Sequence, residues 1–189
     1  MRWLLPGSAF MLVAACSTGL SRVEGTGEPV TRVVPVAMLN GITVEGSMDV
    51  IVLRGDTQRV EVTAQPELID LLKTKVDNGM WVVTTTTDYR TDKAFIVRLT
   101  VPMLNSVIVE GSGSVTSEQV YNTGKTHLAV TGSGSIAIDT LHEGLLEVRI
   151  EGSGPVSVNG TCRELELTGQ GSGDLLALGL AANEAEITL

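Results

Sequence analysis

Val109-Glu110-Gly111-Ser112-Gly113-Ser114-Val115 decides the fold, because the chain repeats it three times. Val130-Thr131-Gly132-Ser133-Gly134-Ser135-Ile136 and Ile150-Glu151-Gly152-Ser153-Gly154-Pro155-Val156 follow. Leu167-Thr168-Gly169-Gln170-Gly171-Ser172-Gly173-Asp174-Leu175 is the last copy, with two extra residues. Aligned on Gly111, Gly132, Gly152 and Gly171, the steps are 21, 20 and 19 residues. Self-similarity at such a period marks a stack of repeated units.

Working outward from each Gly-Ser-Gly, apolar residues alternate with polar ones. Leu128 and Val130 lead into one copy and Ile136 and Ile138 leave it; Leu146, Val148 and Ile150 lead into the next. A period of two means strands with one buried face. The glycines are expected to supply backbone angles that other residues reach only at a cost. Short turns are expected at Asn122-Thr123-Gly124, His142-Glu143-Gly144 and Asn159-Gly160-Thr161. Two folds satisfy this pattern. One is an all-β, single-stranded, right-handed parallel β-helix, a solenoid in which each repeat is one coil. Twenty residues at about 3.3 Å give it a perimeter of at most roughly 66 Å. The other is an antiparallel meander with each phrase as a hairpin loop. Recurrence of the whole phrase favours the solenoid, since like residues then stack on like. An aromatic content of 3% agrees with a thin aliphatic core.

The phrase has a degenerate forerunner, Val44-Glu45-Gly46-Ser47-Met48-Asp49-Val50, so stacking is expected to begin well before the clean repeats at residue 107. Residues 65–73 read as one short helix, with Pro66 at its first position and an apolar stripe of Leu68, Leu71 and Leu72. Asn78-Gly79 marks a hairpin within residues 75–83. The chain ends on an approach strand, residues 184–189, without the expected Gly-Ser-Gly. That reads as a truncated chain, or as an edge closed by a partner or by the segment near the anchor.

The first residues carry an address. Arg2 is followed by an uncharged apolar run, residues 3–15, too short to span a bilayer and ending in small residues. Val13-Ala14-Ala15-Cys16 resembles the lipobox of bacterial lipoproteins. The resemblance implies cleavage before Cys16, lipidation of that cysteine, and, with Ser17 rather than Asp following, delivery to the outer membrane of a Gram-negative cell. The competing reading is an ordinary signal peptide with a cysteine at its cleavage site. The expected organisation is a signal peptide at 1–15, a flexible Gly/Ser/Thr-rich tether at 16–30, and a head at 31–189. Cys162 pairs with Cys16 in the simplest reading of two cysteines; once Cys16 is lipidated, Cys162 becomes a buried small apolar residue.

The 189 residues carry a formal net charge of −9, which argues against nucleic acid as a partner. No catalytic, cofactor-binding or metal-binding residue stands out. Glu45, Glu110 and Glu151 each precede a Gly-Ser; a cation site there is weaker than the reading of a solvated acidic column. Gly169-Gln170-Gly171-Ser172-Gly173-Asp174 falls short of a calcium-binding repeat and occurs once. Gly-x-Ser-x-Gly is absent. His127, His142, Lys125 and Arg149 look too scattered for a polysaccharide-cleaving centre.

The lipobox, the Val44–Val50 phrase, the Pro-headed helix before Asp77-Asn78-Gly79 and the tandem Gly-Ser-Gly phrases together resemble the head GIN domain family, over about residues 32–189. The resemblance implies a β-helix in an extracytoplasmic bacterial protein, often labelled an autotransporter adhesin, and brings no functional residues. The expected function is a non-enzymatic, lipid-anchored envelope protein presenting an adhesin-like interaction surface to an envelope protein or glycan, with self-association open. The alternative is a glycan-binding or polysaccharide-cleaving protein.

Overall fold

The computed structural model describes residues 22–121 and 124–189. The expected signal peptide, Cys16 and the start of the expected tether lie outside the described residues. β1 (Val23–Glu24) and β2 (Val30–Val33) come first. β3 (Gly41–Val44), β4 (Asp49–Arg54) and β5 (Arg59–Ala64) precede one helical turn, α1 (Pro66–Ile69). β6 (Val76–Asp77), β7 (Met80–Val83), β8 (Tyr89–Arg90) and β9 (Ile96–Val101) complete the first half. The repeats contribute β10 (Ser106–Val109), β11 (Ser114–Ser117), β12 (Val120–Tyr121), β13 (Lys125–Val130), β14 (Ser135–Ile150), β15 (Val156–Gly169), β16 (Leu175–Leu176) and β17 (Leu180–Thr188).

The expected right-handed parallel β-helix is not what these strands build. All but β1 and β8 join one 15-stranded sheet, in the order β2-β5-β9-β4-β11-β14-β13-β10-β3-β7-β6 with the last repeats attached through β15. The sheet curls into a half-barrel and mixes strand directions: β2–β5, β5–β9 and β6–β7 are antiparallel. For β6–β7 the physical reason is connection length. A parallel neighbour needs a crossover of about a dozen residues or more, whereas a two-residue turn returns the chain antiparallel. Asn78 and Gly79, both at positive φ (49° and 79°), make such a turn. The antiparallel meander is not observed either, because the Gly-Ser-Gly phrases are not hairpin loops. Spacings of about twenty residues do allow parallel contact, and β10, β13, β14 and β15 pair in parallel as Val109↔Val130, Val130↔Ile150 and Ile150↔Gly169.

Two of the expected turns are absorbed into long strands. Residues 142–144 lie within β14 and residues 159–161 within β15, where Leu141↔Gly160 and His142↔Thr161 pair in parallel. The Asn122-Thr123 part of the third lies outside the described residues. These long strands bend, so each serves several neighbours in the curled sheet.

Register places like side chains in columns. Trp81, Ile42, Val107, Leu128, Val148 and Leu167 occupy successive strands, and Val97, Val50, Val115, Ile136, Val156 and Leu175 form a second column. Trp81, Ile42, Leu128, Val148, Val97, Val50 and Val156 are completely buried. Each such aliphatic side chain contributes about 1.5–3 kcal/mol by leaving water.

The helix is shorter than the expected 65–73. Pro66 takes its first position, with Gln65 as an extended N-cap. After one turn the Leu71 carbonyl accepts from Thr86 N and Lys73 N donates to Thr84 O, both at 2.8 Å, so the chain forms an antiparallel bridge, Leu72 opposite Thr85, instead of coiling on. Leu68, Ile69 and Leu72 still bury their side chains and close that end of the core. The described part of the expected tether is docked. Val23 N and Gly25 N donate to Asp88 O and Arg90 O at 2.9 and 2.8 Å.

Candidate functional site

The glycine phrases stack into one corner. Ser112 N donates to Gly46 O at 2.7 Å, Ser133 N to Gly111 O at 3.1 Å, Ser153 N to Gly132 O at 3.0 Å and Ser172 N to Gly152 O at 3.1 Å. Contrary to the expectation, positive φ is not what these positions need; among the phrase glycines only Gly46 has it, at 104°. The need is room. A Cβ on Gly111, Gly132, Gly152 or Gly171 would run into the backbone of the glycine one step before it. Strands at about 4.8 Å leave no space there for a side chain that turns inward.

The corner carries a ladder of exposed hydroxyls from Ser47 through Ser112, Ser133, Ser153 and Ser172. Ser153 Oγ donates to Ser133 Oγ at 3.4 Å. One flank is the column Glu45, Glu110, Thr131, Glu151 and Gln170, fixed by amides of 2.7–3.1 Å to the preceding strand. Glu110 and Glu151 therefore stand two steps apart with Thr131 between them, as the spacing predicts. Arg149 donates to the Glu151 carboxylate, through Nε at 2.8 Å. On the other flank Ser114 Oγ donates to Asp49 Oδ1 at 2.6 Å.

The ladder starts beside an open polar hollow of about 430 Å³, lined by Arg22, Glu45, Gly46, Ser47 and residues 84–89. Tyr89 packs against Phe95 with the rings tilted at 54° and centroids 5.4 Å apart, and its hydroxyl lies 3.2 Å from Ser47 Oγ. The hollow gathers residues 45–47 and 84–89, two stretches that no local sequence pattern brings together. The only signal for it is the unbroken run Thr84-Thr85-Thr86-Thr87.

The residues judged too scattered separate into distinct places. Lys125 Nζ and His127 Nδ1 lie 3.0 and 2.9 Å from Glu147 Oε2. Lys125, foremost, and then His127 hold the Glu147 carboxyl below the usual carboxylate range, although partial burial opposes them. His142 is elsewhere, its Nδ1 2.7 Å from Thr161 Oγ1. Cys162 is a free, buried thiol whose burial pushes its pKa up. Among the described residues no group of His, Cys, Asp or Glu is arranged to hold a metal ion, and none of their helices is long and apolar enough to cross a membrane. Chemically, the corner offers hydroxyls that donate and accept, beside carboxylates that accept.

Fold and surface together define an all-β head domain with a repeated polar corner. Residues 39–189 match the family described as "Putative auto-transporter adhesin, head GIN domain". The chain belongs to that family. Similar solved structures include a putative adhesin from Bacteroides fragilis, with a TM-score of 0.80 and 22% identity over 87% of this chain and 78% of that one. A putative lipid binding protein from Parabacteroides distasonis gives 0.69 and 22%, over 88% and 80%. A putative adhesin from Parabacteroides merdae gives 0.68 and 20%, over 88% and 79%. At these identities the likeness is one of fold. No curated protein matches the chain in sequence.

Proposed function

We propose that the protein is a non-enzymatic, lipid-anchored component of the bacterial cell envelope, placed on the outer membrane through Cys16, which presents its glycine corner as an adhesin-like interaction surface. One observation carries the reading: the in-register ladder from Ser47 to Ser172, with its flanking column from Glu45 to Gln170, is a polar surface repeated at strand spacing. Repetition multiplies weak contacts to an extended partner, and linked contacts gain in avidity. Family membership supports the envelope setting. The dispersal of His127, His142 and Cys162 supports a role without catalysis, since acid–base and nucleophilic chemistry need their groups within hydrogen-bond reach.

The second reading is a glycan-binding or polysaccharide-cleaving protein. The hollow beside Ser47 favours it, because hydroxyls, a carboxylate and the Tyr89 ring are what a sugar contacts. Glycan-array binding combined with a turnover assay on acidic polysaccharides separates the two. Cleavage would overturn the non-enzymatic reading, whereas binding without cleavage that is lost in Ser133→Leu and Ser153→Leu variants supports the corner. Metabolic palmitate labelling of wild type against Cys16→Ala tests the anchor; equal label in both would remove it.

A further inference from the structure

Residues 22–28 cross the helical end of the head as a strap. β1 pairs in parallel with β8, Val23↔Tyr89 and Glu24↔Arg90. Thr26 gives both its amide and its hydroxyl to Glu67 Oε1, the hydroxyl at 2.7 Å. Gln65, 2% exposed, donates through Nε2 to Gly27 O at 3.2 Å and accepts from Thr91 Oγ1 at 2.6 Å. Gly25 lies so close to the Gln65 amide and Leu68 that a Cβ would not fit. An uncharged, buried amide with partners on both sides is a lock, because pulling the strap away strands its polar atoms.

We infer that this strap fixes the end of the head built from α1, β2 and β8 against the lipid surface that Cys16 anchors to. The inference rests on lipidation of Cys16. A tether running freely to residue 30 would let the head roam. With the strap docked, Cys16 and Arg22 are six residues apart, a reach of at most about 22 Å. The same end carries Val30 and Val33 on the outer strand β2, 37% and 55% exposed, and these are apolar groups that a lipid interface covers. At that end Arg32 pairs with Asp70 at 3.0 Å, which offsets one of its carboxylate charges toward an anionic leaflet. The ladder from Gly46 to Gly171 then rises away from the membrane over four strand spacings, about 19 Å. That orientation presents the corner outward.

The test uses the full mature lipoprotein, in a Cys162→Ala background, in phosphatidylethanolamine–phosphatidylglycerol vesicles carrying a headgroup-linked acceptor dye. A donor dye is placed through Glu28→Cys or through Ser172→Cys. Strong energy transfer at position 28 and its loss at position 172 is the expected result; equal transfer at both overturns the proposal. Gln65→Leu with Gly25→Val is expected to undock the strap and erase the difference between the two positions, and persistence of the difference in that variant also overturns it. Amide exchange on soluble Cys16→Ala protein reads the strap without the anchor: protected Val23 and Gly25 amides support docking, and free exchange overturns it. Loss of vesicle binding by the donor-labelled proteins, with those amides still protected, would refute the anchor and with it the orientation, while leaving the strap in place.

Discussion

Gly132 sits directly on the carbonyl of Gly111, with no room between them for a methyl group. The next residue, Ser133, gives its amide to that same carbonyl at 3.1 Å. Close approach and hydrogen bond are one feature, since the strands can bond there only because neither glycine has a side chain.

Gly132→Ala is therefore expected to destabilise the protein by about 1–3 kcal/mol, the usual cost of forcing atoms into a filled site. Gly27→Ala is the control. Its Cβ meets open space, but its φ of 75° leaves a left-handed penalty of about 1–2 kcal/mol. Urea unfolding followed by Trp81 fluorescence measures both. A Gly132→Ala protein as stable as wild type would refute the packing account of the corner.

Leu128 lies in the middle of the column between Val107 and Val148 and is completely buried. Leu128→Ala should cost about 2–5 kcal/mol through lost burial and the cavity left behind. Leu176→Ala, at a half-exposed site, should stay within about 0.5 kcal/mol. Similar midpoints for the two would mean that the column is not the core.

Glu147 gives a pH dependence with a definite sign. Lys125, then His127, hold its folded-state pKa down, so the unfolded chain takes up the proton more readily. Its stabilisation is present above the unfolded value of about 4.3 and is lost as pH falls through the lower folded value. The group is about one-third exposed, so solvent screening keeps the effect under about 1 kcal/mol. Glu147→Gln should flatten the acid limb of a stability–pH curve, and 1 M salt should shrink the difference. A steeper acid limb in the variant would contradict the assignment.

Cys162 should react slowly with thiol reagents in the folded protein, because burial both shields the sulfur and disfavours the thiolate. In a Cys16→Ala protein its labelling rate should track unfolding across a urea series. Rapid labelling without denaturant would show that β15 opens locally.

Particular residues show how far the sequence could be read. The repeated phrase forecast which residues stack, and Glu110, Thr131 and Glu151 do share one column. Asn78-Gly79 marked its hairpin because two positive φ angles have few other uses. Pro66 marked the helix start but not its end, since Leu71 and Lys73 are held in an antiparallel bridge by Thr86 and Thr84, partners more than ten residues away. The lock at Gln65 gave no signal, and the hollow near Tyr89 gave none beyond the run of four threonines from Thr84 to Thr87. Glu45, Ser47 and Tyr89 are ordinary surface residues until the fold brings them together, and a glutamine after a strand looks exposed.

By itself the sequence determined the strand period, the spacing of the repeats, the family and the candidate anchor at Cys16, because each of these is written in consecutive or regularly spaced residues. Only the tertiary structure decided how the strands close: a curled sheet of mixed directions, with residues 22–28 fastened across its helical end. Strand direction depends on which distant edge a segment meets. That choice is made by hydrogen bonds such as Gln65 to Gly27 and Val62 opposite Val97, whose partners lie about 35 residues or more apart in the chain.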